Sequence, residues 1–187
     1  MKKPLLCILG ASGSGKTTLC EEIENKYGLK QIPSYTTRPP RFPDEKGHTF
    51  VSDVEFSQIR NDLVAYATTN DYEYGVTIAQ LEDENYSLYV IDNTGIKYLK
   101  DIYNGDRPII TVFIDCPLSS RYERMCKRGG NTKESSEFAL NRIVHDTLEF
   151  KDIQVDYIIA NNDGMFSNAL TKLTTICIDN GIIETIT

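Results

Sequence analysis

The sequence predicts an α/β fold in which a parallel sheet is covered by helices on both faces. Three observations carry this. Short, largely apolar runs at 5–9, 88–92, 108–115 and 155–160 alternate with segments whose apolar residues recur at helical spacing. Strands that are apolar on both sides need cover on both sides. The stretch 34–80 breaks the rhythm and reads as an insert beside the sheet.

Residues 5–9 form the first strand, ending at Gly10. The N-terminus begins like a signal peptide, but its apolar run is only five residues long and a Gly- and Ser-rich loop follows. A buried strand is the better reading. Leu19, Ile23 and Tyr27 lie at helical spacing in 17–27, and Gly28 is the stop. Pro and Arg make 34–47 irregular. Ser52 and Glu55 form a capping box that opens a short helix. Residues 63–80 alternate weakly and read as short strands of the side module. A buried strand at 88–92 and a helix at 95–104 follow. The strongest strand is 108–115, with a helix at 118–127. Gly129, Gly130, Asn131 and Thr132 break that helix, and a charged segment runs to about 150. The last strand is 155–160 and the last helix 166–180.

With 187 residues the chain makes one domain plus an insert. Hydrophobic residues are 40% and charged residues 25%, ordinary for a packed fold and against global disorder. A net charge of -7, from 27 acids and 20 bases, repels a nucleic-acid backbone, so no nucleic-acid partner is expected. A local Arg cluster can still hold a small anion. No stretch approaches the roughly 20 apolar residues of a membrane span, so none is expected. The five cysteines (7, 20, 116, 126, 177) contain no CxxC pair and read as reduced thiols of a cytoplasmic protein. Two scattered histidines do not suggest a zinc site. Nothing here sets the oligomeric state.

Gly10, Ala11, Ser12, Gly13, Ser14, Gly15, Lys16 and Thr17 fit G-x-x-x-x-G-K-[ST], followed by Thr18. The motif stands between a strand and a helix, where its mechanism needs it. Glycines let successive N–H groups turn inward around phosphates, and the helix N-terminus adds partial positive charge. Lys16 is then placed for the β- and γ-phosphates of a nucleoside triphosphate and the Thr17 hydroxyl for Mg²⁺. The fold is thereby specified as the P-loop NTPase type. The motif does not name the phosphoryl acceptor.

A second phosphate site is suggested by Arg38 and Arg41, three residues apart on a loop stiffened by Pro39 and Pro40. Here a family emerges. The run Thr36, Thr37, Arg38, Pro40, Arg41, then Gly47, then Phe50, Val51, Ser52, Glu55 and Phe56, then Tyr74 and Gly75, resembles the guanylate kinase family. So do Val90, Ile91 and Asp92 with Gly95; Arg128 with Gly129; Arg142; and the run 159–163. The resemblance covers about 4–175.

The resemblance implies a nucleoside monophosphate kinase that moves the γ-phosphoryl of ATP to GMP or dGMP. It implies a core (1–33, 83–127 and 146–187), an acceptor-binding insert (34–82) and a lid (128–145). Arg38, Arg41 and Tyr74 match positions that hold the acceptor phosphate. Ser34 matches a hydroxyl near the base. Arg124, Arg128 and Arg142 match basic positions that close over the transferring phosphates. Asn161 falls on the loop against the adenine. Asp92 matches an acid near the acceptor and Mg²⁺, which it would meet through water.

The departures are on the acceptor side. Where the family usually has a guanine-reading Glu, nine residues before Tyr74, this chain has Ala65. Val76 replaces the Ser or Thr after Tyr-Gly, Val90 replaces an Asp, and His48 stands where a phosphate-binding Tyr is usual. A lost charged acceptor forfeits about 1.5–3 kcal/mol of guanine recognition. The expectation is a working kinase with relaxed or altered base selectivity. Alternatives are Glu73, Asp71 or Asn70 standing in for the lost Glu; a kinase for another phosphorylated acceptor, such as a modified nucleotide or ribose 1,5-bisphosphate; and a non-catalytic guanylate kinase-like binding module.

Overall fold

A computed structural model describes residues 2–184. The main sheet has strand order β6-β1-β7-β8, with β1 Leu5–Leu9, β6 Leu88–Val90, β7 Ile109–Asp115 and β8 Tyr157–Ala160, all parallel. Pleating sends alternate residues of β1 to opposite faces. Leu6 and Ile8 pack against Leu19, Cys20 and Ile23 of α1 (Lys16–Tyr27) and Ala169, Leu173 and Cys177 of α7 (Phe166–Asp179). Leu5, Cys7 and Leu9 pack instead with Ile96 and Leu99 of α4 (Asn93–Ile102) and with Val64, Ala65 and Val76 of the insert. Both faces of the sheet are covered, as the apolar runs predict.

The insert carries a second sheet, order β3-β2-β5-β4, from β2 Ser34–Thr36, β3 His48–Phe50, β4 Leu63–Thr69 and β5 Tyr72–Thr77. The capping box is present: Ser52 caps α2 (Asp53–Ile59), and Glu55 answers it. Gly28 ends α1 at φ 67°. The short helix α3 (Ile78–Glu82) starts at a second capping box, Thr77 with Gln80, inside the stretch read as strand.

The strands read at 88–92 and 155–160 are shorter, Leu88–Val90 and Tyr157–Ala160, and two further differences from the sequence reading have physical reasons. The helix expected from 95 begins at Asn93, because Asp92 is its N-cap and accepts the Gly95 N–H at 2.6 Å. The charged segment before 150 is a helix, α6 (Lys133–Glu149), capped by Thr132. It shows no apolar stripe because its buried residues are only Ala139 and Asp146, while Phe138, Leu140, Val144 and Leu148 are exposed. It packs on α5 (Leu118–Arg128) and runs unbroken past residue 145. Among the described residues no helix is long and apolar enough to cross a membrane. All five cysteines are buried and free.

Candidate active site

Three segments converge on one cleft of about 480 Å³: the loop from β1 to α1, the insert sheet, and the α5–α6 pair. Gly10, Ser12, Lys16, Arg128 and Arg142 line its phosphate-loop end. Ser34, Arg38, Arg41, His48, Tyr74 and Asp92 line the rest. Five cations (Lys16, Arg38, Arg41, Arg128, Arg142) face three carboxylates there (Asp92, Asp146, Glu149). A chain of net charge -7 thus builds one locally cationic cavity.

The loop has the form its composition demands. Gly13 and Gly15 sit at φ 79° and 93°, where L side chains are strained. A Cβ on Gly13 would lie 2.7 Å from the Arg121 carbonyl, and one on Gly15 2.4 Å from the Asn161 amide nitrogen. Lys16 lies over the loop, its ammonium donating to the carbonyls of Gly10 and, at 3.1 Å, Ala11. Burial pushes its pKa down to about 8. Thr17 and Thr18 are exposed on the first turn of α1. Ser14 is fully buried, and its hydroxyl has no partner.

On the insert, Arg38 is held by Glu45 at 2.8 and 3.2 Å, with both side chains 8% exposed. Glu45 also accepts the Arg41 N–H at 2.7 Å. The Arg38 hydrogen bond holds Glu45 ionised, lowering its pKa. The Arg38 Nε remains a buried donor with no partner. Such a donor is costly to leave unmade and is suited to an incoming oxyanion. Arg41 is 70% exposed at the rim. The His48 Nδ1 lies 2.9 Å from the Ser34 hydroxyl, and its ring meets Tyr74 edge-on. Burial, helped by Arg38, lowers its pKa, so it is neutral near pH 7.

Of the expected positions, Ala11, Gly13, Ser14, Gly15, Thr17 and Thr18 of the phosphate loop do not line the cleft, and neither do Val76, Arg124 and Asn161. Val76 is 0% exposed and belongs to the apolar cluster under it, beside Ala65. Arg124 lies along the outside of the phosphate loop. It donates to the Asn161 carbonyl at 3.1 Å and pairs with Asp163 at 2.8 Å, which leaves its guanidinium turned from the cavity. Asn161 is 2% exposed, and its amide donates to the Ser14 carbonyl at 2.7 Å, so it braces the loop from behind. As for stand-ins for the missing Glu, Glu73 is tied to Arg60 and, at 2.8 Å, Tyr66. Neither Glu73 nor Asp71 lines the cleft; Asn70 does.

Two cleft carboxylates were not anticipated. Asp146 and Glu149 follow Arg142 at helical spacing on α6, a polar stripe that was visible in the sequence but unread without a helix to carry it. Glu149 accepts the Asn93 N–H at 3.2 Å, and burial, with Asp92 beside it, raises its pKa. Burial likewise raises Asp92. His145 lies beside both acids, 3.4 Å from Asp146 and 3.5 Å from Glu149.

A strand–glycine loop–helix aimed into a cationic cleft, facing a second arginine site across it, defines a P-loop phosphotransferase. The comparisons narrow the class. The guanylate kinase family model matches residues 1–179. Guanylate kinase of Geobacter metallireducens is 31% identical over 199 residues, spanning 98% of this chain and 94% of its own. That of Geobacter sulfurreducens is 33% identical over 190 residues, 95% and 89% of the two chains. The crystal structure of guanylate kinase from Anaplasma phagocytophilum superposes with a TM-score of 0.60 at 21% identity, covering 94% and 85%. A sugar kinase from a Janibacter species shares the fold at TM-score 0.54 and 15% identity, covering 98% and 100%. The chain belongs to the guanylate kinase family and is an enzyme of the nucleoside monophosphate kinase kind.

Proposed function

We propose that this chain transfers the γ-phosphoryl group of ATP to the phosphate of a nucleoside monophosphate, with GMP or dGMP as first acceptor and weak discrimination of the base. The observation that carries it is the pairing of two phosphate sites across one cleft. The phosphate loop stands at one end, and at the other stands the unpartnered Arg38 Nε with Arg41. An acceptor-phosphate oxygen attacks the γ-phosphorus, the bond to the β–γ bridging oxygen breaks, and the charge leaves on ADP. Such a transfer needs in-line positioning and cancellation of charge. Arg38 and Arg41 orient the acceptor phosphate, with Tyr74 and neutral His48 beside it. Lys16 exchanges its carbonyl partners for the β- and γ-oxygens. Arg128 and Arg142, on the 128–145 lid, move over the transferring group and exclude water.

Thr17 and Asp92 offer hard oxygen ligands suited to Mg²⁺, Asp92 through water. When bound, Mg²⁺ spreads the charge of the β- and γ-oxygens. Buried free thiols suit a reducing cytoplasm. Weak base discrimination rests on Ala65 and Val76, which place no carboxylate at the base end. The same observation favours, as second reading, a phosphorylated acceptor other than a guanine nucleotide. ADP release followed with each candidate acceptor, wild type against Lys16→Ala, tests the proposal. Turnover that survives Lys16→Ala unchanged contradicts it.

A further inference from the structure

Ser12 is held more firmly than any loop of glycine and serine holds itself. Its N–H donates to Asp146 Oδ2 at 2.6 Å. Its carbonyl accepts from Arg121 Nε at 3.0 Å. Arg121 and Asp146 meet each other at 3.1 Å, with side chains 6% and 1% exposed. One buried ion pair thus grips both polar groups of a single peptide residue. One turn back on α6, Arg142 donates to the Ser12 hydroxyl at 2.9 and 3.1 Å, and its guanidinium stands 3.8 Å from Asp146 Oδ1. Arg121 lies on α5, Asp146 on α6, and Ser12 between β1 and α1, so the pair ties three segments together.

A buried ion pair is a poor device for stability alone, since an apolar pair of similar volume often does as well. An apolar pair, however, could not receive the Ser12 N–H or fill its carbonyl. We propose that Arg121 and Asp146 are positioning residues: the pair sets the phosphate loop in the nucleotide-binding arrangement before ATP arrives. Arg121 is outside the cleft lining, and Asp146, 1% exposed at its edge, has its Oδ2 taken by the Ser12 N–H and Arg121. The flexible loop that follows is then ordered in advance, which lowers the entropy cost of binding. This rests on the reading of the loop as the ATP site.

The test compares Asp146→Ala, Asp146→Asn and the apolar pair Arg121→Met/Asp146→Leu with wild type. Binding of a non-hydrolysable ATP analogue is titrated calorimetrically, with Tm and acceptor KM measured on the same samples. Asp146→Ala should weaken the analogue about tenfold, a lost charged hydrogen bond. Asp146→Asn keeps an acceptor for the Ser12 N–H and should recover most of that loss. The apolar pair should keep or raise Tm yet bind the analogue about as weakly as Asp146→Ala, and acceptor KM should not move. Wild-type affinity in Asp146→Ala, or in a folded apolar pair, overturns the proposal, as does a fall in Tm with no change in affinity. Failure of the function itself reads differently: wild type would bind the analogue and phosphorylate no nucleoside monophosphate. A wild type that binds no analogue overturns both.

Discussion

Ala65 and Val76 stand opposite each other across the β4–β5 hairpin, and neither side chain reaches solvent. They share a hairpin face with the next pair, Ala67 and Tyr74, which does line the cleft. On the proposed reading, the base end of the cleft rests on this apolar pair and not on an acceptor for a guanine edge. Ala65→Glu should raise kcat/KM for GMP relative to AMP about tenfold, the worth of one charged hydrogen bond. It should also lower Tm, because a carboxylate enters an apolar cluster. Steady-state kinetics with both nucleotides and a thermal melt check the pair of effects; an unchanged GMP-to-AMP ratio in a folded variant sinks the idea.

Lys16 gives a pH signature. Burial lowers its pKa to about 8 in the free enzyme, and the ammonium is the form that meets the phosphates. The proton is present below that value and lost above it. kcat/KM for ATP should therefore be level below pH 8 in this group's contribution and fall towards tenfold per unit above it. A pH profile at saturating acceptor measures this. A flat profile from pH 7 to about 10 would contradict the assigned role.

Arg38 and Arg41 should separate the two substrates. Arg41→Ala, exposed at the rim, should raise the acceptor KM several-fold with little change for ATP or Tm. Arg38→Ala should raise it further and also lower Tm, because Glu45 would keep only the Arg41 N–H and the Arg41 guanidinium 3.9 Å away. Equal losses for ATP and acceptor would show that this loop is not the acceptor site.

Arg107 offers a structural control. It is 2% exposed, and its guanidinium donates to the carbonyls of Lys3, Leu81, Asp83 and Tyr86, tying the end of the insert to the main sheet. No carboxylate neutralises it in those bonds. Arg107→Met should cost about 3 kcal/mol by urea unfolding, since the buried Leu81 carbonyl and three partly buried ones lose their donor. The KM values of the remaining folded enzyme should stay at wild-type level.

The parts legible in the sequence were those whose local chemistry decides their structure. The phosphate loop follows from its glycines and the strand and helix around it. The α2 start follows from Ser52 and Glu55, and the two-faced sheet from apolar runs such as 5–9. The rest depended on partners distant in the chain. α6 hid because the residues it turns toward the cleft include Arg142, Asp146 and Glu149, not leucines. Asn161 and Arg124 read as ligand contacts; in the structure Asn161 donates to the Ser14 carbonyl of the loop and Arg124 to the Asn161 carbonyl. Val76 sits one pair below the lining, a depth that only the hairpin register reveals.

The central claim is a two-site phosphotransferase whose base end is apolar. The most direct measurement couples ADP production to NADH oxidation and compares kcat/KM for GMP, dGMP, AMP, CMP, UMP, dTMP and ribose 1,5-bisphosphate. The expected result is the highest value for GMP or dGMP, with AMP within about a hundredfold, since Ala65 supplies no carboxylate to reject other bases. A guanine preference of about 10⁴ or more would mean that another group reads the base. Turnover of no nucleoside monophosphate at all would contradict the account outright.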